Sequence, residues 1–164
     1  MNSARGNFGS KRTQECKIAR TKTVVVFDEK FNNDGIDYDG SSSEEIKIYW
    51  PDGGLSFNTT YRVTAAFGGY SPIPTPIPEG FAQFFLWVEL NNKLIPGSGV
   101  STMLTPHAGP VTVSGNILLA AATGDKLRLC WTANDTEVTT VYQKQTEQTP
   151  EIYSAHVALE TIRS

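Results

Sequence analysis

Residues 113–131 read Val113-Ser-Gly-Asn-Ile-Leu-Leu-Ala-Ala-Ala-Thr-Gly-Asp-Lys-Leu-Arg-Leu-Cys-Trp131, and the fold class turns on how they are read. Leu127, Leu129 and Trp131 alternate with Lys126, Arg128 and Cys130, the period-two pattern of a strand that buries one face. Just before them, residues 118–123 (LLAAAT) form the most helix-prone stretch of the chain. It is too short to sustain a helix and stops at Gly124-Asp125, a dipeptide suited to a turn. The reading is therefore strand, turn, strand.

Working outward, similar short segments rich in β-branched and aromatic residues occur at 23–27, 45–50, 59–67, 81–90, 100–104, 111–119, 137–142 and 154–162. They are separated by Gly, Pro, Asn and Asp, the spacing of a sandwich or barrel. Ile46, Ile48 and Trp50 share one face of their segment and Lys47 and Tyr49 the other. By contrast Phe84-Phe85-Leu86-Trp87-Val88 is apolar on both faces, so this strand needs cover on both sides, from a loop or from another subunit. A chain of 164 residues with 39% hydrophobic and 19% charged residues suffices for one domain with its own core. The apolar run at 81–88 is far too short to span a bilayer as a helix, and no membrane partner is expected.

The start of the chain, MNSARGNFGSKRTQECK, has no apolar periodicity. Residues 1–22 are expected to form an extended basic arm, disordered unless something holds it, with the β body occupying 23–164. The absence of an apolar core in this stretch argues against a secretory leader; a disulfide between Cys16 and Cys130 stays open, but a cytosolic origin argues for free thiols. Cys130 reads as a strand residue and Cys16 as part of the polar arm. With His107 and His156 they lack the spacing of a zinc site, and no metal or cofactor is expected. Residues 1–22 carry Arg5, Lys11, Arg12, Lys17, Arg20 and Lys22 against Glu15, a net of +5; the remaining residues carry 8 basic and 16 acidic side chains, a net of −8. Such an arm reaches for an acidic partner, which could be another copy of the body, a neighbouring protein or nucleic acid. Without interleaved aromatics, nucleic acid is the least expected of the three.

Several local features invite a chemical reading. Pro72, Pro74, Pro76 and Pro78 occupy every second position of Ser71–Pro78, which excludes an internal strand and predicts a stiff polyproline-like loop. It serves either as a rim gripping a neighbour or as a rigid connector. The acidic stretch 32–40 could gather oxygen ligands for calcium but departs from the EF-hand pattern, and a solvated turn cluster is the expected reading. Neither His107 nor His156 stands in a catalytic constellation, and Glu44 and Glu45 are adjacent, so in a strand they diverge. The sequons at Asn58 and Asn134 matter only in a secretory pathway. No catalytic residue is assigned, and no enzyme is expected.

From about Thr59 onward the order of pieces resembles the C1q/TNF-like jelly roll, including versions from phage head proteins and spore-surface fibres. The pieces are Asn58-Thr-Thr-Tyr-Arg-Val-Thr-Ala-Ala-Phe67, Leu86-Trp-Val-Glu-Leu-Asn-Asn-Lys-Leu-Ile95, the Val113–Leu129 block around Gly124-Asp125, and Tyr153-Ser-Ala-His-Val-Ala-Leu-Glu-Thr-Ile162. The resemblance covers roughly the last hundred residues and implies an antiparallel jelly-roll sandwich that assembles as a homotrimer. Phe85, Trp87, Tyr153, Ala155 and Val157 are then the expected interface residues. The expected role is a virion structural protein, assembled in host cytoplasm: a trimeric decoration or cement protein that binds the major capsid protein through its N-terminal arm. The alternatives are a receptor- or glycan-binding fibre head using Tyr38 and Tyr70, and a jelly-roll coat protein whose arm faces nucleic acid.

Overall fold

The computed structural model describes residues 4–49, 53–65, 82–105, 109–134 and 136–162. Among them the secondary structure is strand and turn only, with no helix. In chain order the strands are β1 (Arg5–Ser10), β2 (Gln14–Glu15), β3 (Thr23–Val24), β4 (Glu29–Lys30), β5 (Ile36–Asp37), β6 (Ile46–Ile48) and β7 (Gly53–Ala65). They continue as β8 (Ala82–Leu90), β9 (Lys93–Leu94), β10 (Val100–Leu104), β11 (Val111–Ala121), β12 (Lys126–Ala133), β13 (Val138–Thr140) and β14 (Ala155–Thr161).

Two antiparallel sheets result. In the first, β7 pairs with β11 along one edge and with β14, then β13, along the other; β14 leads on to β1 and β4, and β13 to β2. In the second the order is β10-β8-β12-β6-β5, with β9 beside β10 on β8 and β3 beside β6 on β12. Alternation along the strands fills the space between the sheets, as a two-layer sandwich requires. Leu55, Phe57, Tyr61 and Val63 of β7 meet Phe84, Leu86 and Val88 of β8 and Leu127, Leu129 and Trp131 of β12. Phe84 lies edge-on to Tyr61 at 5.6 Å and stacks on Trp131 at 5.4 Å. Each such side chain contributes roughly 1.5–3 kcal/mol by leaving water.

The expected alternation is present: Ile46, Ile48, Leu127, Leu129 and Trp131 are buried, while Lys126 and Arg128 face outward. Trp50 lies outside the described residues. The stretch 118–123 continues β11 to Ala121, and the turn closes with Gly124 at φ 94° and the Ala122 amide donating to Asp125 Oδ2 at 2.8 Å. A positive φ of that size favours glycine.

The expected boundary at residue 22 does not hold. Residues 5–10 form an interior strand, paired with β14 on one side and β4 on the other. Phe8 is fully buried against Phe27 and Tyr38, with ring centroids 6.3 and 5.6 Å away, and Ala4 and Cys16 are buried too. The physical reason is an apolar anchor hidden in a polar string: Phe8 is the one large apolar residue of the strand, and the small residues around it let the backbone lie flat in the sheet. The chain then passes from sheet to sheet through β2, β3, β4 and β5. It is stitched by the reciprocal bridges Arg5–Asp34 and Phe27–Ser43, whose hydrogen bonds are 2.8–2.9 Å long.

Candidate functional site

The side of the sandwich opposite those stitches is open. Strands β10 and β11 lie next to one another at the ends of the two sheets, and among the described residues nothing pairs with their outer edges. Exposed apolar side chains on or beside these strands are Leu94 (60% exposed) on β9, Met103 (51%) on β10, and Val111 (42%) and Leu118 (75%) on β11. Leu94 and Leu118 line one hollow of about 420 Å³ with Leu90, Ile95 and Pro96. Leu94 also borders a second hollow, of about 670 Å³, floored by Phe85 and Trp87 and edged by Val100, Ser101 and Thr132. Unpaired strand edges bearing apolar side chains are a template for association.

The outward face of the first sheet differs in character. Registered rows place Asn7, Ala158, Asn58 and Asn116 side by side, with Gly9, His156, Thr60 and Ser114 in the next row. The centre of this face is small, uncharged and flat. His156 Nε2 meets the side-chain oxygen of Asn7, and its ring packs on Phe31 at 6.1 Å. Burial pushes its pKa down and favours the neutral imidazole. Tyr153 lies over Gly9 so closely that a Cβ there would stand 2.9 Å from its ring. The hydroxyls of Tyr142 and Tyr153 both donate to Glu151, and burial with that carboxylate raises the Tyr153 pKa to about 12.

On the outward face of the second sheet, Glu89 is buried beneath the strap that carries β3. Burial opposes its charge, but the Trp87 indole N–H at 3.1 Å and Lys22 Nζ at 3.2 Å from both carboxylate oxygens outweigh that penalty and lower its pKa. The neighbouring Cys130 thiol is pushed up to about 12, first by burial and then by Glu89. Cys16 and Cys130 are both buried, and no disulfide joins them. Cys130 is on the strand face that the alternation predicts, whereas Cys16 is a core residue, not part of a solvated arm.

Lys11, Arg12 and Lys22 of the expected arm are paired within the molecule. Lys11 pairs with Glu29 at 2.6 Å and Glu151 at 3.6 Å, Arg12 with Asp28 at 3.5 Å, and Lys22 with Glu89. Arg5 is exposed, but its backbone is bridged to Asp34, and Arg20, at φ 65°, donates its amide to Ala133. Lys17 lines a polar hollow with Arg12, Lys22, Glu15 and Glu44. For Lys11, Arg12 and Lys22 the acidic partner is the chain's own body. Such part-exposed pairs contribute little, about 0–1 kcal/mol each; buried Phe8 does more to hold the segment.

The expected interface residues do not lie together. Phe85 and Trp87 point outward from the second sheet into the larger hollow. Tyr153 is on the other sheet, and Ala155 and Val157 point inward with 1% and 0% exposure, so they cannot meet a neighbour. Tyr38 is also unavailable as a loop platform, because it packs on Phe8 with Lys30 Nζ over its ring at 4.2 Å. Pro72, Pro74, Pro76, Pro78, Tyr70 and His107 lie outside the described residues. The carboxylates of the 32–40 stretch diverge: Asp37 pairs with Lys30 at 2.8 Å and Asp39 accepts from the Tyr49 hydroxyl at 3.1 Å. Among the described residues no three His, Cys, Asp or Glu side chains converge as a metal set. The exposed Leu94, Met103 and Leu118 escape sequence reading, since an outward leucine in a strand looks like a core one until the register is known.

No family model matches the sequence, and no curated protein matches it. Solved structures do match the fold. Murine APRIL at pH 5.0 superposes with a TM-score of 0.56 over 98% of this chain and 100% of that one, at 7% identity. The globular domain of zebrafish complement 1qA protein superposes with a TM-score of 0.52 over 99% and 98%, at 13% identity. The chain therefore has the antiparallel jelly-roll sandwich of the C1q/TNF type, and the likeness runs through the N-terminal residues as well as the last hundred.

Proposed function

We propose that the protein is a homotrimeric structural or binding head, working by assembly and contact and not by catalysis. The observation that carries this reading is the open side of the sandwich, where Leu94, Met103, Val111 and Leu118 stand exposed along two unpaired strand edges. A contact from this side to the flat neutral face of the next copy is heterologous, and it closes into a ring when the rotation between copies is threefold. The neutral centre of that face, Asn58, Thr60, Ser114 and Asn116, costs no desolvation of charge when covered. The C1q/TNF resemblance supports the same stoichiometry. Sedimentation equilibrium of the full chain tests it: a mass three times that of the chain is expected, and a monomer at tens of micromolar would end the reading.

Within it, the finer placement is a decoration protein on the outside of a virion shell. Its support is the sequence reading of a small non-catalytic body. Docking through a detached basic arm is no longer part of that placement, because Phe8 and the ion pairs bind residues 5–22 to the body. Co-sedimentation of the trimer with shells of the major capsid protein tests it; trimer left wholly in the supernatant would rule it out.

A further inference from the structure

We propose that mild acid takes the assembly apart, and that His156, on the flat face one copy offers to the next, is the group that senses it. The inference rests on the assembly reading above and assigns its regulation to one side chain.

The place of the ring carries the argument. His156 stands on the outward side of β14 between Gly9 of β1 and Thr60 of β7, with Ala158, Asn58 and Asn116 in the adjoining row. It belongs to the neutral patch that a second copy covers. Its Nε2 meets the side-chain oxygen of Asn7, and the ring packs on Phe31. The neutral tautomer that suits this contact carries its proton on Nε2 and leaves Nδ1 bare. A second proton, on Nδ1, finds no acceptor here, because Asn7 is the hydrogen-bond partner of the ring among the described residues. In a separate chain that N–H turns to water. Beneath the apolar open side of a second copy it loses the water and gains nothing, which is costly for a cation.

The charges around the ring are engaged elsewhere. Glu29 lies in the same row beyond Gly9 and is held by Lys11 at 2.6 Å. Lys30, next to Phe31, turns to Asp37 at 2.8 Å. Tyr153, over Gly9, shares Glu151 with Tyr142 and Lys11. On β7, Arg62 is bound to the Val141 carbonyl and the Gln143 side chain, and Arg5 and Glu160 share the row beyond Ala158. None of the ion pairs among the described residues reaches the imidazole, so no carboxylate offsets the cost of charging it. Protons therefore bind the separate chains more readily than the assembled ones. Association is full above the ordinary histidine pKa of about 6.5 and weakens as pH falls below it. The chain has two histidines, His107 and His156, and imidazoles are the side chains that ordinarily titrate between about pH 5 and 8.

Sedimentation equilibrium of the full chain at about pH 7.5 and about pH 5.5 tests this. The concentration of half-association is expected to rise about tenfold at the lower pH, with far-UV circular dichroism unchanged. In His156→Gln it should stay constant, and in His107→Gln it should rise as in the original. An unchanged midpoint in the unmodified chain overturns the proposal, as does a rise that comes with loss of the dichroism signal. A dependence that survives in His156→Gln, or vanishes in His107→Gln, overturns it too. Nuclear magnetic resonance of the unmodified chain gives a measure that needs no variant. The His156 ring is expected to titrate at lower pH in concentrated than in dilute solution, and equal titration in the two overturns the proposal. The two levels separate at neutral pH: a trimer indifferent to acid defeats this inference alone, whereas a monomer defeats the assembly reading with it.

Discussion

On one long side of the sandwich the chain crosses repeatedly between the sheets, through β2, β3, β4 and β5, with Phe8, Cys16, Val25, Phe27 and Ile36 buried beneath the crossings. On the other side β10 and β11 end the two sheets with outer edges unpaired among the described residues and leucines in the open. Both sides face the same difficulty, a sheet edge that would pair with any passing strand. The first side settles it within the molecule, using residues that read as a detachable arm. The second leaves it open, and in the proposed assembly a partner covers it. The charge distribution follows the same division: Lys11, Arg12 and Lys22 are neutralised by Glu29, Asp28 and Glu89 on or near the stitched side, while the open side is mainly apolar.

That contrast breaks most sharply at Phe8. Phe8→Ala should cost about 3–5 kcal/mol in urea unfolding, the loss expected for a buried aromatic. Removal of residues 1–22 should yield no cooperative unfolding transition. A truncated chain that melts like the original would restore the arm as a separate piece. On the open side the expectation is inverted. Leu118→Asp should leave the stability of the single chain within about 0.5 kcal/mol, yet weaken association roughly 30-fold in sedimentation equilibrium, as a central contact of at least about 2 kcal/mol would.

Glu89 sharpens the comparison at intermediate size. Its carboxylate is held by Lys22 of the strap and Trp87 of β8, so Glu89→Gln should lower stability by about 1.5 kcal/mol at neutral pH, the worth of a hydrogen bond to a charged group. In the folded chain its pKa lies below the ordinary 4.5. Its contribution is therefore complete above that value and is lost as pH falls through the lowered folded pKa. Urea midpoints measured from pH 7 downward should show a shallower acid decline for the Gln variant. His156 gives the smallest effect. Its folded pKa is lowered by burial from the ordinary 6.5, so the unfolded chain takes up the proton first, and stability is full above 6.5 and declines as pH drops through it. His156→Gln should remove that one component from the pH profile.

Much of the fold was legible from side-chain period alone. Leu127, Leu129 and Trp131 declared β12, and the short LLAAAT run ending at Gly124-Asp125 read as strand and turn. β1 was not legible, because Arg5-Gly-Asn-Phe-Gly-Ser10 carries one large apolar residue in six. Its pairing depends on Gly9 lying flat under Tyr153, a contact 144 residues away in sequence that no local pattern encodes. The proposed assembly surface was half legible. Phe85 and Trp87 announced themselves as apolar residues on the wrong face of a strand. Ala155 and Val157 belonged to the opposite parity: Val157 pairs with Thr59 on an inward row, and only the register between β14 and β7 reveals it. Charge misled for a simple reason, since composition records how many cations a segment carries and not which carboxylates fold against them.

Hydrogen exchange read by mass spectrometry, in dilute and concentrated solutions of the unmodified chain, tests the contrast between the two sides most directly. The account predicts that raising the concentration slows exchange at Val100–Leu104 and Val111–Ala121, while Arg5–Ser10 is strongly protected at both concentrations. Equal exchange of β10 and β11 at the two concentrations, or rapid exchange throughout β1 in the dilute sample, would contradict it.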